Sequence, residues 1–353
     1  AHKEGLPRTL DRLLTPQPES GEFRAVEPLL RETAYDTNNI RDLQAWWLYR
    51  MYYSANPHLE KLALFWHNHF ATSNGKVRSV PHMTAQNDLI RREALGSFRN
   101  LLHGMAKDVA MLIWLDSNAN RKRHANENFA REVMELFSLG EGNYTEDDIK
   151  QAARAFTGWH VREDKFWFNV RQHDNGTKTL FGKTGNLDGG EIIDLCLGHK
   201  ACPRFLAFKL LRTFVLDQPT EVQITTLAAR IREHDFAMQP VMRELFSSRL
   251  FFGAEARHAI IKSPLELVLG ACRALEVRPN LRVVNRVTGQ LGQAILEPPT
   301  VKGWEGGRLW VSSASLLQRD NFAMALLEGK VGVLPKLDGN AAHYRGTLLA
   351  REV

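Results

Sequence analysis

Four short polar motifs in this chain carry residue types that bind metal ions or move protons. The first is Phe65-Trp66-His67-Asn68-His69-Phe70. Imidazoles are good ligands for zinc, iron, copper or nickel. Two residues turn an α-helix by about 200°, so His67 and His69 can share an ion only where the helix ends or unwinds. Thr72-Ser73-Asn74-Gly75, just beyond, supplies such an end. The competing reading buries both rings and satisfies them with hydrogen bonds. The second motif runs from Asn126 to Glu135. At helical spacing Phe129, Val133 and Leu136 form an apolar stripe, and Asn128, Glu132 and Glu135 fall on the opposite side. Two carboxylates and an amide on one face can bind a metal or share a proton. The same face also reads as solvated, with Glu127–Arg131–Glu135 ion pairs one turn apart. The third is Arg154-Ala155-Phe156-Thr157-Gly158-Trp159, where a helix end would deliver Arg154 and Thr157 to a pocket or simply cover a core edge. The fourth is His173-Asp174. Asn175-Gly176 explains Asp174 as a turn residue, but leaves His173 as a candidate ligand.

Several other signals carry no chemistry. Gly182-Lys183-Thr184 resembles the end of a phosphate loop, yet the glycine that pattern needs five residues earlier is Thr177. There is no HExxH and no Gly-x-Ser-x-Gly.

The elements that must position these motifs are mostly helical. Apolar residues recur at helical spacing over 6–14, 38–55, 57–71, 81–102, 104–115, 126–139 and 145–159. Pro57 suits a first helical position, because its missing N–H costs nothing there. Gly140 suits a C-terminal cap, and Thr145 with Asp148 forms a capping box. The period then changes: Phe166, Phe168 and Val170 alternate with Trp167, Asn169 and Arg171. With Asn175-Gly176 as the turn and 177–181 as the return strand, this predicts one hairpin over about 166–181. From Gly189 the helical period resumes. The predicted fold is therefore all-α, an orthogonal multi-helix bundle with one small inserted β-hairpin. It reads as a single domain over 1–353, with 1–160 and 189–330 as possible subdomains around an insertion at 161–188. The last 20 or so residues read as a glycine-containing, loosely held tail.

Bulk properties exclude several classes. The chain has 353 residues, 44% hydrophobic and 24% charged, a globular composition. Its net charge of +6 is spread among acids, without the one-sided basic face of a nucleic-acid binder. No run of about 18 apolar residues is present, so no transmembrane helix is expected. None of Cys196, Cys202 and Cys272 forms a CxxC pair, and a bridge between Cys196 and Cys202 stays open. The start at Ala1-His2-Lys3 suggests a processed or trimmed terminus, with any signal peptide outside this sequence.

Taken together, the motifs resemble successive signature blocks of the bacterial domain of unknown function family 1800. The blocks are residues 65–70, then Asn126 to Arg131-Glu132 leading through Leu139-Gly140 to residues 153–159. Next come His173-Asp174-x-Gly176-x-Lys178-Thr179 with Gly189-Gly190, and finally Pro299-x-Val301-Lys302-Gly303-Trp304-x-Gly306-Gly307 with Trp310. The family commonly carries an export signal, so the resemblance implies a periplasmic or extracellular protein. Many relatives have histidine where this chain has Phe137, and another near Phe205. A shared pattern of His, Glu, Asn, Arg and Asp suggests a common polar site.

Two functions follow as expectations. In one, the protein is an exported, metal-dependent hydrolase or oxidoreductase. His67, His69, His173 and Asp174 would hold a divalent ion. Glu132 or Glu135 would serve as ligand or general base, and Arg131 or Arg154 would hold an anionic group. In the other, the protein binds or assembles at the cell surface, and its polar cluster is a buried hydrogen-bond network. Polysaccharide or peptide is the expected partner class, because Trp46, Trp47, Trp66, Trp159, Trp167, Trp304 and Trp310 either line a groove or fill the core.

Overall fold

A computed structural model describes residues 5–334. They form seventeen α-helices and three two-stranded antiparallel sheets, with 62% of residues helical, so the fold is all-α. The glycine-containing tail lies outside the described residues. Helix starts follow the sequence signals. Pro57 opens the Pro57–His69 helix, and Thr145 and Asp148 close a reciprocal capping box on Glu146–Ala155. Gly140 takes φ 79°, which a residue without Cβ adopts without strain. The stretch 81–115 divides into Val80–Glu93, Phe98–Ala106 and Val109–Trp114, because Ser97 and Asp108 each cap a new helix.

One contiguous core runs through these helices, from Leu10 to Val331. Trp46, Trp47, Trp66, Phe70, Phe98, Phe129, Phe156 and Phe236 are its largest fully buried aromatic side chains among the described residues. Trp66 stacks on Phe98 with centroids 5.4 Å apart. The tryptophans thus mostly fill the core, whereas Trp304 and Trp310 border a cleft. All three cysteines are free and buried, Cys196 and Cys202 included.

The core also encloses a charge that the sequence did not announce. Glu60 is 1% exposed. It accepts hydrogen bonds from Trp47 Nε1 at 3.0 Å, Arg50 Nε at 3.1 Å and Arg91 Nε at 2.9 Å. Burial alone would raise its pKa, but the Arg91 and Arg50 charges outweigh burial and lower it.

The single hairpin expected over 166–181 is instead two. Trp159–Arg162 pairs with Lys165–Phe168, and Lys178–Leu180 pairs with Lys183–Gly185. Their two-residue turns are Glu163-Asp164 and Phe181-Gly182. All four residues have positive φ, the backbone of a turn that matches strand twist. Asn175-Gly176 takes no positive φ and joins no strands. Gly176 N–H donates to Asp174 Oδ1 at 2.8 Å, so the signal marked a local side-chain turn. His173 and Asp174 consequently sit in a loop and not at a hairpin tip.

Candidate functional site

Asn68, between the two motif histidines, joins the first signature block to the last. Its Oδ1 accepts Trp304 N–H at 2.7 Å, and its Nδ2 donates to the Trp304 carbonyl at 3.0 Å. Gly303 approaches so closely, at φ 76°, that a Cβ there would lie 2.2 Å from Asn68 Oδ1. Glycine is required at that position by both space and backbone.

His67 and His69 leave the helix on different sides, as a two-residue spacing dictates. His67 is 1% exposed, edge-on to Trp47 at 5.3 Å and 5.8 Å from the Trp304 ring. Burial lowers its pKa to about 4. His69 lies among Phe70, Phe98, Phe137 and Phe205. Its Nε2 is 3.0 Å from the Phe137 carbonyl, so Nε2 must carry the proton and donate. Nδ1 is then a buried acceptor, and it has no hydrogen-bond partner. Burial first, and the Lys209 charge second, hold this imidazole neutral. Phe137 and the neighbourhood of Phe205, where the family resemblance leads one to expect histidine, both face His69.

The segment expected as one α-helix over 126–139 changes character midway. Glu127–Glu132 is α-helical, and Val133–Leu139 is a π-helix, a form that recurs at functional sites. Its last carbonyls have no partner within the helix. Phe137 O accepts from His69, and Lys209 Nζ lies 3.5 Å from Leu136 O. The residues of the predicted polar face have different surroundings. Asn128 Nδ2 donates to Leu115 O at 3.3 Å. Glu135 lines a cleft of about 670 Å³, and Glu132 is not among the residues lining it. Burial first and the Glu135 charge second raise the Glu132 pKa. Tyr144 Oη donates to Glu135 Oε2 at 2.5 Å. Arg131 is engaged by Glu127 at 3.2 Å and Glu146 at 2.8 Å, the solvated-face arrangement.

Arg154, Thr157, His173 and Asp174 do converge, but on one another. Arg154 Nε donates to Asp174 Oδ2 at 2.8 Å, and Nη1 to Thr177 O at 3.0 Å. That hydrogen bond, against a smaller opposing effect of burial, holds the Asp174 carboxyl down at about 2. Asp174 N–H donates to Thr157 Oγ1 at 2.8 Å, and His173 Nδ1 pairs with Thr157 O at 2.9 Å. Every one of these groups is spent fastening the 173–178 loop to the end of the Glu146–Ala155 helix.

His67, His69, His173 and Asp174 are therefore not brought together. Among the described residues, no three His, Cys, Asp or Glu side chains stand where they could hold one metal ion. The residue types around His69 explain this locally: its ring neighbours are phenylalanines and Trp66, which offer no lone pair.

What the sequence missed lies across the same cleft, on the Ala201–Phe214 helix. Lys209 lines the cleft with His69, Glu135 and Trp304, and its Nζ is 4.9 Å from the Phe205 ring centroid. Burial, then the Arg212 charge, lowers its pKa to about 8. A lone lysine in an amphipathic helix gives no motif, so only the folded geometry distinguishes it.

Fold and site thus define an all-α protein with a cleft of mixed apolar and charged lining beside a π-helix. A family model described as "Protein of unknown function (DUF1800)" matches residues 1–352, and the chain belongs to that family. No curated protein and no solved structure matches it.

Proposed function

We propose that the protein is an enzyme whose active site is the cleft beside the Val133–Leu139 π-helix, with Glu135 as the residue that gives and takes a proton. One observation carries this reading. Glu135 is a half-buried carboxylate in a cleft of about 670 Å³, and among the described residues no cation lies within ion-pair distance of it: Lys302 acts on it only from farther off, while paired with Glu141. Its one hydrogen bond comes from Tyr144. Structural carboxylates of this fold, such as Glu60 and Asp174, are fastened by arginine. A carboxylate left uncommitted in a cleft is free to work on a bound molecule. Trp304, Trp310, Phe205 and Phe208 line the same space and offer flat faces to sugar rings or apolar side chains, which supports polysaccharide or peptide as substrate class. Export to the periplasm or beyond is part of the proposal and rests on the family resemblance. Fractionation of the producing cell, with the protein confined to the cytoplasm, contradicts that part.

The test is a panel of chromogenic glycosides, esters and peptides offered to the wild type, Glu135→Gln and Arg131→Gln. General acid–base catalysis contributes about 10²–10⁴-fold, so Glu135→Gln loses that much rate on whichever substrate turns over. Arg131→Gln, which alters only the solvated ion pairs with Glu127 and Glu146, keeps the wild-type rate. Equal rates for Glu135→Gln and wild type sink the assignment. A non-catalytic binding role is the second reading. The Arg154–Asp174–Thr157–His173 clasp favours it, because four motif residues there serve the fold.

A further inference from the structure

Five basic side chains line the cleft: Lys61, Arg204, Lys209, Arg212 and Lys302. Four have carboxylate partners. Lys61 pairs with Glu266 at 2.7 Å, Lys302 with Glu141 at 3.1 Å, Arg212 with Asp217 at 3.5 Å, and Arg204 with Glu221. Lys209 alone, among the described residues of this lining, has no carboxylate within ion-pair distance. Its Nζ makes a single long hydrogen bond, to Leu136 O at 3.5 Å, and otherwise faces the Phe205 ring. An ammonium placed where water is partly excluded is costly unless a counter-charge meets it. The protein supplies counter-charges to every other cation of the cleft and withholds one here.

We infer that the missing counter-charge belongs to the ligand, and that the cleft takes molecules bearing a carboxylate, which Lys209 binds while Phe205 and Phe208 pack on the adjoining apolar part. The inference rests on the cleft being the working site and specifies what it accepts. A carboxylate fits better than a phosphate. A single ammonium is a point charge, and the neighbouring guanidinium groups that could fork around phosphate oxygens are already held by Asp217 and Glu221. The desolvated state of the Lys209 amine agrees with an unmet charge, since burial and Arg212 both depress its protonation.

Isothermal titration with benzoate, phenylacetate and indole-3-acetate tests this on wild type, Lys209→Met and Glu135→Gln. Saturable binding of at least one aromatic carboxylate to wild type is expected. Because a charge-assisted contact is lost, affinity falls roughly tenfold or more in Lys209→Met. Benzyl alcohol, which lacks the charge, binds wild type and Lys209→Met alike. Thermal unfolding of each variant confirms that the folded protein is being compared. Absence of carboxylate binding by wild type, or equal affinity in folded Lys209→Met, overturns the inference. Glu135→Gln separates the two proposals, since it removes turnover while leaving carboxylate binding in place.

Discussion

Replacing Glu60 by glutamine is expected to lower the unfolding free energy by about 3–5 kcal/mol, the usual cost of removing one partner from a buried ion cluster. The substitution keeps the shape of the side chain and an acceptor for Trp47 Nε1. It removes the negative charge that Arg50 and Arg91 share at 3.1 and 2.9 Å. Arg50 retains Glu27 at 2.7 Å, and Arg91 retains Asp88 at 3.4 Å and Asn87 at 2.6 Å. Neither partner restores neutrality at the centre of the cluster. Urea denaturation at pH 7 measures the effect. A loss below about 1 kcal/mol, the scale of a surface pair, shows that the cluster does not behave as a buried one. The Glu60 pKa is depressed in the fold, so its contribution is complete above the unfolded carboxyl value and disappears as pH falls through the folded value.

Acid is expected to weaken the fold at higher pH than carboxylate protonation alone would require. His67 is buried and His58 half-buried, and desolvation lowers both pKa values from 6.5 to about 4. A histidine whose pKa is lowered in the fold contributes stability that is full above the unfolded value of 6.5 and lost as pH falls towards 4. Each such histidine costs about 3 kcal/mol across that window. Unfolding free energies of wild type and His67→Gln, each measured at pH 7 and pH 4.5, isolate the effect whatever His67→Gln does to stability at neutral pH. The difference between the two pH values shrinks by about 2–3 kcal/mol in His67→Gln. An unchanged difference means that His67 is solvated or charged in the native state.

The helical character, the helix starts at Pro57 and Thr145 and the stop at Gly140 were legible because each depends on residues near in sequence. The two hairpins were not. Asn175-Gly176 is the commoner turn signal, whereas Glu163-Asp164 adopts positive φ without advertising it. Within the motifs, Asn68, Arg154, Thr157, His173 and Asp174 were legible as a polar set, but their roles were not. Spacing alone does not tell a metal ligand from a residue that bonds a distant loop. Asn68 reaches Trp304, 236 positions away, and that contact exists only in the folded chain. Beyond the change from α- to π-helix at Val133, Glu135 lines the cleft and Glu132 does not, and no propensity rule marks that change. Lys209 and Glu60 belong to no motif, and what matters for each is the presence or absence of partners from other helices.

That the cleft holds groups free to act, and not merely a gap between ion pairs, is tested most directly by titrating Lys209. Competitive acylation of the native protein over pH 6–11, read at each lysine by mass spectrometry, gives the pH at which each amine becomes reactive. Lys209 is expected to titrate near pH 8, as burial and Arg212 require. Solvated lysines titrate near 10.4. At pH 7 this leaves Lys209 with roughly a few hundred times the free-amine fraction of a surface lysine. A Lys209 midpoint at or above that of the surface lysines means that a counter-charge or bulk water meets the ammonium, and contradicts an uncommitted cation in the cleft.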